Sequence, residues 1–289
     1  MKNKVILGTV QMGLDYGINN NSGKISFENC CEILQKAHEL GVDTLDTAEA
    51  YGNAHEVIGD FHKLNPKIKF NVITKIPHHS ILKNIEQTVA KYIYDLHVDS
   101  IETLMFHSFE SYIDNKQILV ILKDLKSKGL IKHIGVSVYT NKQIEDLLLD
   151  DIITVVQMPF NLLDNESVRG DLMEKLKNKS KVIHTRSAFL QGMFFKENLE
   201  DNYVAQKLSN ELTMIKKIAI EGNVSISNLA LSYCLSQKNI DQVLIGVDSV
   251  NQLVDNLKSV NYKISKETIL AINRLKVNDF DLLNPSLWI

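Results

Sequence analysis

Short apolar segments of strand length alternate with longer amphipathic segments along the whole chain, which predicts a repeated strand–helix unit. Eight segments have the β-branched, apolar composition of buried strands. The predicted strands are Val5–Leu7, Val42–Leu45, Phe70–Thr74, Ile101–Phe106, His133–Val136, Ile153–Val156, Val182–Thr185 and Gln242–Ile245. The segments between them have helical periodicity, and several open on a Ser or Asn cap. They include Ser26–Leu40, Ser80–Leu96, Asn115–Lys128, Asn141–Leu149, Asn165–Asn178, Lys207–Glu221 and Ser249–Val260.

The number and order of these elements predict an α/β fold, a (β/α)8 TIM barrel. A doubly wound open sheet is the main structural alternative. If such a sheet bound a dinucleotide, it would need a glycine-rich phosphate turn after its first strand, and Gly8-Thr9-Val10-Gln11-Met12-Gly13 does not match G-x-G-x-x-G. No Pro- or Gly-rich linker divides the chain, so we predict a single domain over residues 1–289.

Composition and charge point to a small-molecule partner. The chain has 289 residues with 44% hydrophobic and 23% charged residues, values that are ordinary for a folded globular protein. A formal net charge of −3 gives no electrostatic reason to expect nucleic acid or an anionic membrane as partner. Three cysteines without metal-ligand spacing and the lack of a signal-peptide pattern predict a cytoplasmic protein without structural disulfides.

Polar side chains follow most of the predicted strands at their carboxyl ends, where barrels carry their active sites. These residues are Asp46 with Tyr51 in the following loop, Lys75, His107, Ser137, Gln157 and Arg186. A tyrosine has an ordinary pKa of about 10, so proton transfer near neutrality requires a neighbouring cation to favour its phenolate. We expect Lys75 to supply that cation, Asp46 to orient Lys75, and His107 to bond a carbonyl oxygen or relay a proton.

The segment Gly41-Val42-Asp43-Thr44-Leu45-Asp46-Thr47-Ala48-Glu49-Ala50-Tyr51-Gly52 resembles the G-x-x-x-x-D-T-A-x-x-Y-G signature of the aldo-keto reductases. The resemblance runs from Leu7 to about Asn256. It implies that the family's catalytic Asp, Tyr, Lys and His fall on Asp46, Tyr51, Lys75 and His107, which we call the tetrad. It also implies NAD(P)H-dependent carbonyl reduction, with a proton from Tyr51, on a barrel that binds its cofactor without a Rossmann fold.

The same resemblance implies which residues hold the cofactor. Ser137 and Gln157 match the family's contacts to the nicotinamide carboxamide, although the Asn that usually follows the Ser is Val138 here. Arg186 stands where most members carry a ring-stacking aromatic, as in a bacterial branch in which arginine takes this place.

On the adenosine side, Gly246, Asp248 and Asn256 are the expected contacts. The usual basic clamp for a 2′-phosphate is missing there, since Gly246, Val247 and Gln252 occupy its positions. Asp248 would repel that phosphate or accept bonds from a free diol. We therefore expect either NADPH or NADH as cofactor, and favour NADPH because the family commonly uses it.

Several interpretations stay open at this point. The substrate is an aldehyde or ketone, with a sugar-derived carbonyl suggested by similarity of two loops to reductases of surface-polysaccharide pathways. We expect Asp15, Tyr16, Tyr139 and Phe189 to line the pocket mouth. Alternatives are a non-enzymatic NADP(H)-binding regulatory subunit, and an isomerase or lyase on the same barrel. Adjacent histidines, His78 and His79, do not form a metal motif, so no metal is predicted, and Trp288 is expected to pack.

Overall fold

The computed structural model describes residues 4–17, 23–77 and 84–288, which contain eight parallel strands closed into a barrel. Each strand pairs with its neighbours in chain order, and the first pairs with the last through Val5 and Val243. The strands are β1 (Val5–Gly8), β2 (Thr44–Asp46), β3 (Asn71–Ile76), β4 (Ile101–Phe106), β5 (Ile131–Ser137), β6 (Val155–Pro159), β7 (Val182–Arg186) and β8 (Gln242–Ile245). The predicted (β/α)8 fold is therefore confirmed.

Helices surround the barrel and cover its apolar outer face. They are α1 (Val10–Gly13), α2 (Phe27–Glu39), α3 (Ala54–Leu64), α4 (Ile85–Leu96), α5 (Phe109–Asp114), α6 (Leu119–Ser127), α7 (Asn141–Leu147), α8 (Glu166–Asn178), α9 (Tyr203–Lys207), α10 (Ser209–Glu221), α11 (Ile226–Ser236), α12 (Val250–Lys258) and α13 (Lys266–Asn273). Side chains cap several N-termini as the sequence predicts, including Ser26 on α2 and Asn165 on α8. Thr140 and Gln143 form a reciprocal capping box on α7.

The barrel interior is apolar in its lower part and polar at its carboxyl end. Ile6 of β1, Ile73 of β3, Met105 of β4 and Val155 of β6 form a buried cluster inside the barrel. Gly135 on β5 leaves room for this cluster, because a Cβ there would lie 2.9 Å from the Met105 methyl group. This apolar cluster fills the barrel interior below the carboxyl ends of the strands. The polar side chains at those ends therefore face the opening of the barrel.

Some predicted boundaries differ from the observed ones. The predicted helix Asn115–Lys128 is a 3-10 turn (Lys116–Ile118) followed by α6, and the predicted Lys207–Glu221 is divided between α9 and α10. Part of the predicted helix Ser80–Leu96 lies outside the described residues, as do His78 and His79. Within the described ranges, no helix has the length and apolar composition needed to cross a membrane.

Two buried histidines predict that the fold loses stability in acid. His55 on α3 bonds Thr74 (Nε2 to Oγ1, 2.8 Å), and His184 on β7 lies in the barrel interior. Burial lowers the pKa of each to about 4, against the opposing effect of nearby carboxylates. Because the unfolded chain binds these protons near pH 6.5, stability is complete above that value and falls as the pH drops towards 4.

We expect each histidine to cost on the order of 3 kcal/mol of unfolding free energy by pH 4 relative to pH 7. Denaturant unfolding of wild type and His55→Gln between these pH values measures the effect, and His97→Asn, at an exposed histidine, is the matched control. His55→Gln should show a shallower loss of stability with acid than the control. An identical pH dependence in the three proteins would contradict the assignment.

Candidate functional site

Asp46 and Lys75 form a buried ion pair at the carboxyl end of adjacent strands. Asp46 is the last residue of β2, and Lys75 lies within β3 rather than after it. Each side chain is 2% exposed, and the Lys75 ammonium pairs with Asp46 Oδ1. Lys75 also donates to the Thr47 carbonyl (3.0 Å). The pair is therefore held in one geometry by bonds from both strands.

Tyr51 and His107 complete the group of four that the sequence predicts. Tyr51 follows β2 in a tight turn, and its hydroxyl hydrogen-bonds with Lys75. The Lys75 ammonium lies 5.1 Å from the centre of the Tyr51 ring. His107 directly follows β4 and meets the Tyr51 ring edge-on, with 5.6 Å between ring centroids. The structure thus brings all four tetrad residues together at the carboxyl ends of β2, β3 and β4.

Burial changes the protonation of this group. Burial raises the pKa of Tyr51, Lys75 lowers it, and the net direction is upward from 10. For Lys75, burial lowers the pKa, but Asp46 and Tyr51 raise it by more, so the ammonium stays charged. Lys75 thus acts on the Tyr51 pKa in the predicted direction, but loss of solvent outweighs the cation. Tyr51 is a protonated donor at neutral pH.

Ser137 and Gln157 lie beside the tetrad on neighbouring strands. They face each other in register, at the end of β5 and within β6, and both are buried. Gln157 Nε2 donates to Asp46 Oδ2 (2.8 Å), the oxygen that Lys75 does not take. Both oxygens of the Asp46 carboxylate are consequently engaged. The direct bond between Gln157 and Asp46 was not predicted from the sequence.

Arg186, the last residue of β7, lies flat against an aromatic ring. Its guanidinium carbon is 4.0 Å from the centre of the Tyr139 ring, and its Nη2 donates to the Val138 carbonyl (3.1 Å). Tyr139 is held in turn by Arg169, which donates to the Tyr139 carbonyl (2.7 Å) and pairs with buried Asp164. Tyr139, which was expected at the pocket mouth, thus packs against the guanidinium group of Arg186.

The loops after β1 and β7 meet above the barrel. Gln191 Nε2 donates to the Tyr16 hydroxyl (2.8 Å) across this junction. Burial raises the pKa of Tyr16, and the further influences of Tyr51, Tyr139 and Arg186 show that it lies within electrostatic range of all three.

The other two residues expected at the pocket mouth lie in the same two loops. Asp15 is exposed beside Tyr16. Phe189 packs against Phe195, with 5.7 Å between ring centroids.

A cavity of about 340 Å³ opens next to Tyr139. The starts of α7 and α8 form one side of it, and Phe280, Leu283 and Asn284 of the carboxyl-terminal segment form the other. The indole nitrogen of Trp288 donates to the Leu282 carbonyl (3.2 Å) and the ring packs on the core, as expected. The carboxyl-terminal segment therefore forms part of the lining of this cavity.

The segment after β8 holds the three residues expected on the adenosine side. Gly246 directly follows the strand, and Asn256 is half-buried on α12. The Asp248 amide donates to Gln252 Oε1 (2.8 Å), and its Oδ2 accepts a long bond from Gln252 Nε2 (3.5 Å). Asp248 Oδ1 is buried and has no hydrogen-bond partner among the described residues.

Gln11 is a residue of this region that sequence reasoning missed. It follows β1 and is 9% exposed, and its Oε1 has no hydrogen-bond partner within the part of the chain that the structure describes. It packs on Gly246 so closely that a Cβ there would lie 2.6 Å from Gln11 Nε2. The available signal was its position three residues after Gly8, close to the carboxyl end of β1.

Comparison with known proteins identifies the family of this chain. The chain matches the aldo/keto reductase family over residues 4–277. It belongs to that family. The resemblance seen in the sequence is thereby confirmed: the chain belongs to a family of oxidoreductases whose members act on small carbonyl compounds and use nicotinamide cofactors.

Individual relatives are distant. The chain is 22% identical over 283 residues to the NADH-specific methylglyoxal reductase of Escherichia coli, covering 84% of this chain and 86% of that protein. It is 25% identical over 264 residues to the L-galactose dehydrogenase of Arabidopsis thaliana, covering 82% and 80%. The solved holo form of aldo-keto reductase AKR11C1 from Bacillus halodurans has the same fold, with a TM-score of 0.75, 19% identity and coverage of 94% and 91%.

Proposed function

We propose that this chain reduces an aldehyde or ketone to an alcohol with NADH or NADPH, and that Tyr51 is the general acid. The observation that carries the proposal is the buried tetrad, in which a charged lysine and a protonated tyrosine share a hydrogen bond at the barrel opening. Reduction of a carbonyl needs a proton at its oxygen, and a positioned phenol supplies one.

The remaining tetrad residues act through Tyr51 or on the carbonyl oxygen. Lys75 stabilises the negative charge that the phenol acquires as its proton leaves, and Asp46 keeps Lys75 charged and fixed. His107, edge-on to the Tyr51 ring, is placed to hydrogen-bond the carbonyl oxygen as it gains negative charge. Tyr51 then recovers a proton from solvent, so the chain is unchanged after each cycle.

The residues present fit a nicotinamide dinucleotide. Ser137 and Gln157 offer hydroxyl and amide groups for the carboxamide, and the Arg186 plane is a stacking surface for the ring. The unpartnered oxygens of Gln11 and Asp248 mark polar positions near Gly246 that a ligand's donors would satisfy. When bound, the reduced nicotinamide supplies the hydride to the carbonyl carbon and is itself oxidised.

The substrate class follows from the mouth of the site. A sugar-derived carbonyl suits the mixture of polar and aromatic side chains there, and the related methylglyoxal reductase makes methylglyoxal a first compound to try. We expect single alanine variants of Asp15, Tyr16, Tyr139 and Phe189 to raise the carbonyl KM, by about 3- to 10-fold at Tyr16. Tyr203→Ala, at a 67% exposed tyrosine, is the control. Unchanged KM in all four variants removes these residues from the pocket.

The proposed function is tested by initial rates of NADH and NADPH oxidation, followed by absorbance. The panel contains methylglyoxal, simple aldehydes and ketones, and keto-sugars, and each reaction is repeated with Tyr51→Phe. We expect turnover of at least one carbonyl that collapses in the variant. Cofactor binding without turnover of any compound would instead support the regulatory subunit, and product formation without net oxidation of the cofactor would support an isomerase or lyase.

A further inference from the structure

The segment after β8 holds one carboxylate in a defined position. Asp248 precedes Ser249, the residue that caps α12 through its side chain. The Asp248 amide and its Oδ2 both bond to the Gln252 side chain, so Gln252 fixes the backbone and one carboxylate oxygen together. The other oxygen, Oδ1, takes no part in these bonds.

Asp248 Oδ1 is a buried acceptor without a donor. Its lack of a partner holds for residues 4–17, 23–77 and 84–288. An ionised oxygen that has lost its water and gained no hydrogen bond is costly, so native structures rarely keep one unless a ligand satisfies it. A ligand that fits here must bring a hydrogen-bond donor to Oδ1.

The surroundings of Asp248 also disfavour a second negative charge. Residues 246–257 contain no lysine or arginine. A phosphate monoester carries close to two negative charges at neutral pH. Without a cation in this segment to neutralise it, such a group beside Asp248 meets repulsion, whereas a ribose hydroxyl offers the missing donor.

We infer that Asp248 makes this chain selective for NADH over NADPH, by accepting a hydrogen bond from the adenosine ribose and repelling the 2′-phosphate. The inference rests on the proposed function only in that the chain binds a nicotinamide dinucleotide. Gln252 is the positioning residue, since it touches Asp248 rather than the ribose. In dinucleotide-binding folds of other architecture, an acidic residue likewise binds the ribose hydroxyls.

Equilibrium binding tests this selectivity independently of turnover. Isothermal titration with NADH and with NADPH gives both dissociation constants for wild type, Asp248→Asn and Asp248→Ser. We expect wild type to bind NADH at least about tenfold more tightly. In both variants the ratio of the NADPH to the NADH dissociation constant should be close to one, because NADH binds more weakly and NADPH more tightly than in wild type. Two variants of different size separate the loss of charge from a local packing defect.

Asp255→Asn is the matched control, because it removes a carboxylate from the adjoining helix α12 at a side chain that is 70% exposed and paired with Lys258. It should leave the wild-type ratio unchanged. A second pair of probes, 5′-AMP and 2′,5′-ADP, reports on the adenosine half alone, and wild type should prefer 5′-AMP.

Tighter binding of NADPH by wild type, or an unchanged ratio in both Asp248 variants, overturns the inference. Carbonyl reduction driven by NADPH in that case leaves the proposed function standing. If the chain binds NADH selectively but reduces no carbonyl compound, the inference holds and the proposed reductase activity is overturned. If neither dinucleotide binds, both are overturned.

Discussion

Tyr51→Phe is expected to lower kcat for carbonyl reduction by about 10²- to 10⁴-fold, the usual contribution of a positioned general acid. The substitution removes only the hydroxyl, so the ring keeps its edge-on contact with His107. Affinity for the cofactor should stay within about twofold, because that contact and the stacking surface on Arg186 are untouched. Steady-state kinetics and cofactor titration on the same preparation separate these quantities.

Tyr94→Phe is the matched control, since it deletes the same atom from a tyrosine that is 81% exposed on α4. Its kcat should equal that of wild type. If Tyr51→Phe retained more than about a tenth of wild-type kcat with a substrate of the panel, Tyr51 would not be the general acid, and proton donation would have to come from another group.

Lys75→Met is expected to lower kcat by about 10³-fold and also to destabilise the fold. Without the ammonium, the largest influence that offsets the effect of burial on Tyr51 is lost, so its pKa rises further and its proton is harder to release. In the alcohol-oxidising direction, which needs the phenolate, the pH at which activity appears should move upward. The pH profile of oxidation in wild type and variant measures this shift.

The stability effect of Lys75→Met has a separate cause. Removing one partner leaves Asp46 as an uncompensated buried charge, which costs about 3–5 kcal/mol of unfolding free energy. Adding Asp46→Asn should recover much of that stability without recovering activity. Lys91→Met, at a lysine that is 64% exposed, is the control for loss of a lysine in an ion pair. Full activity in a stable double variant would contradict the role given to the pair.

The barrel could be predicted from the sequence because each strand is a short apolar segment next to an amphipathic helix. All eight strands were located, and Ile101–Phe106 and Gln242–Ile245 were predicted with both ends, but the ends of the others differ. The second was predicted as Val42–Leu45 and lies at Thr44–Asp46, and the sixth was predicted as Ile153–Val156 and lies at Val155–Pro159. Both strands extend into polar residues that face the barrel opening. Pairing with neighbouring strands, which a single segment does not reveal, decides where they end.

The candidate site could be predicted as a set of residues but not as a set of contacts. The motif around Asp46 and Tyr51 identified the tetrad, and strand order brought its members together. The bond between Gln157 and Asp46 joins residues 111 positions apart, and the stacking of Arg186 on Tyr139 depends on how Arg169 holds that loop. Such contacts depend on the register and packing of the closed barrel. Burial likewise decides the net direction of the Tyr51 pKa, which residue types alone do not reveal.

The most direct test of the central claim follows the hydride. The protein is incubated with NADH, or with NADPH, that carries deuterium at both hydrogens of nicotinamide C4, and with the fastest carbonyl of the panel or methylglyoxal. Mass spectrometry of the alcohol should find one deuterium on the former carbonyl carbon, with one cofactor oxidised for each alcohol formed. With Tyr51→Phe, labelled alcohol and oxidised cofactor should both form at least about 10²-fold more slowly. Product without deuterium, or label transfer that does not depend on Tyr51, would contradict the account.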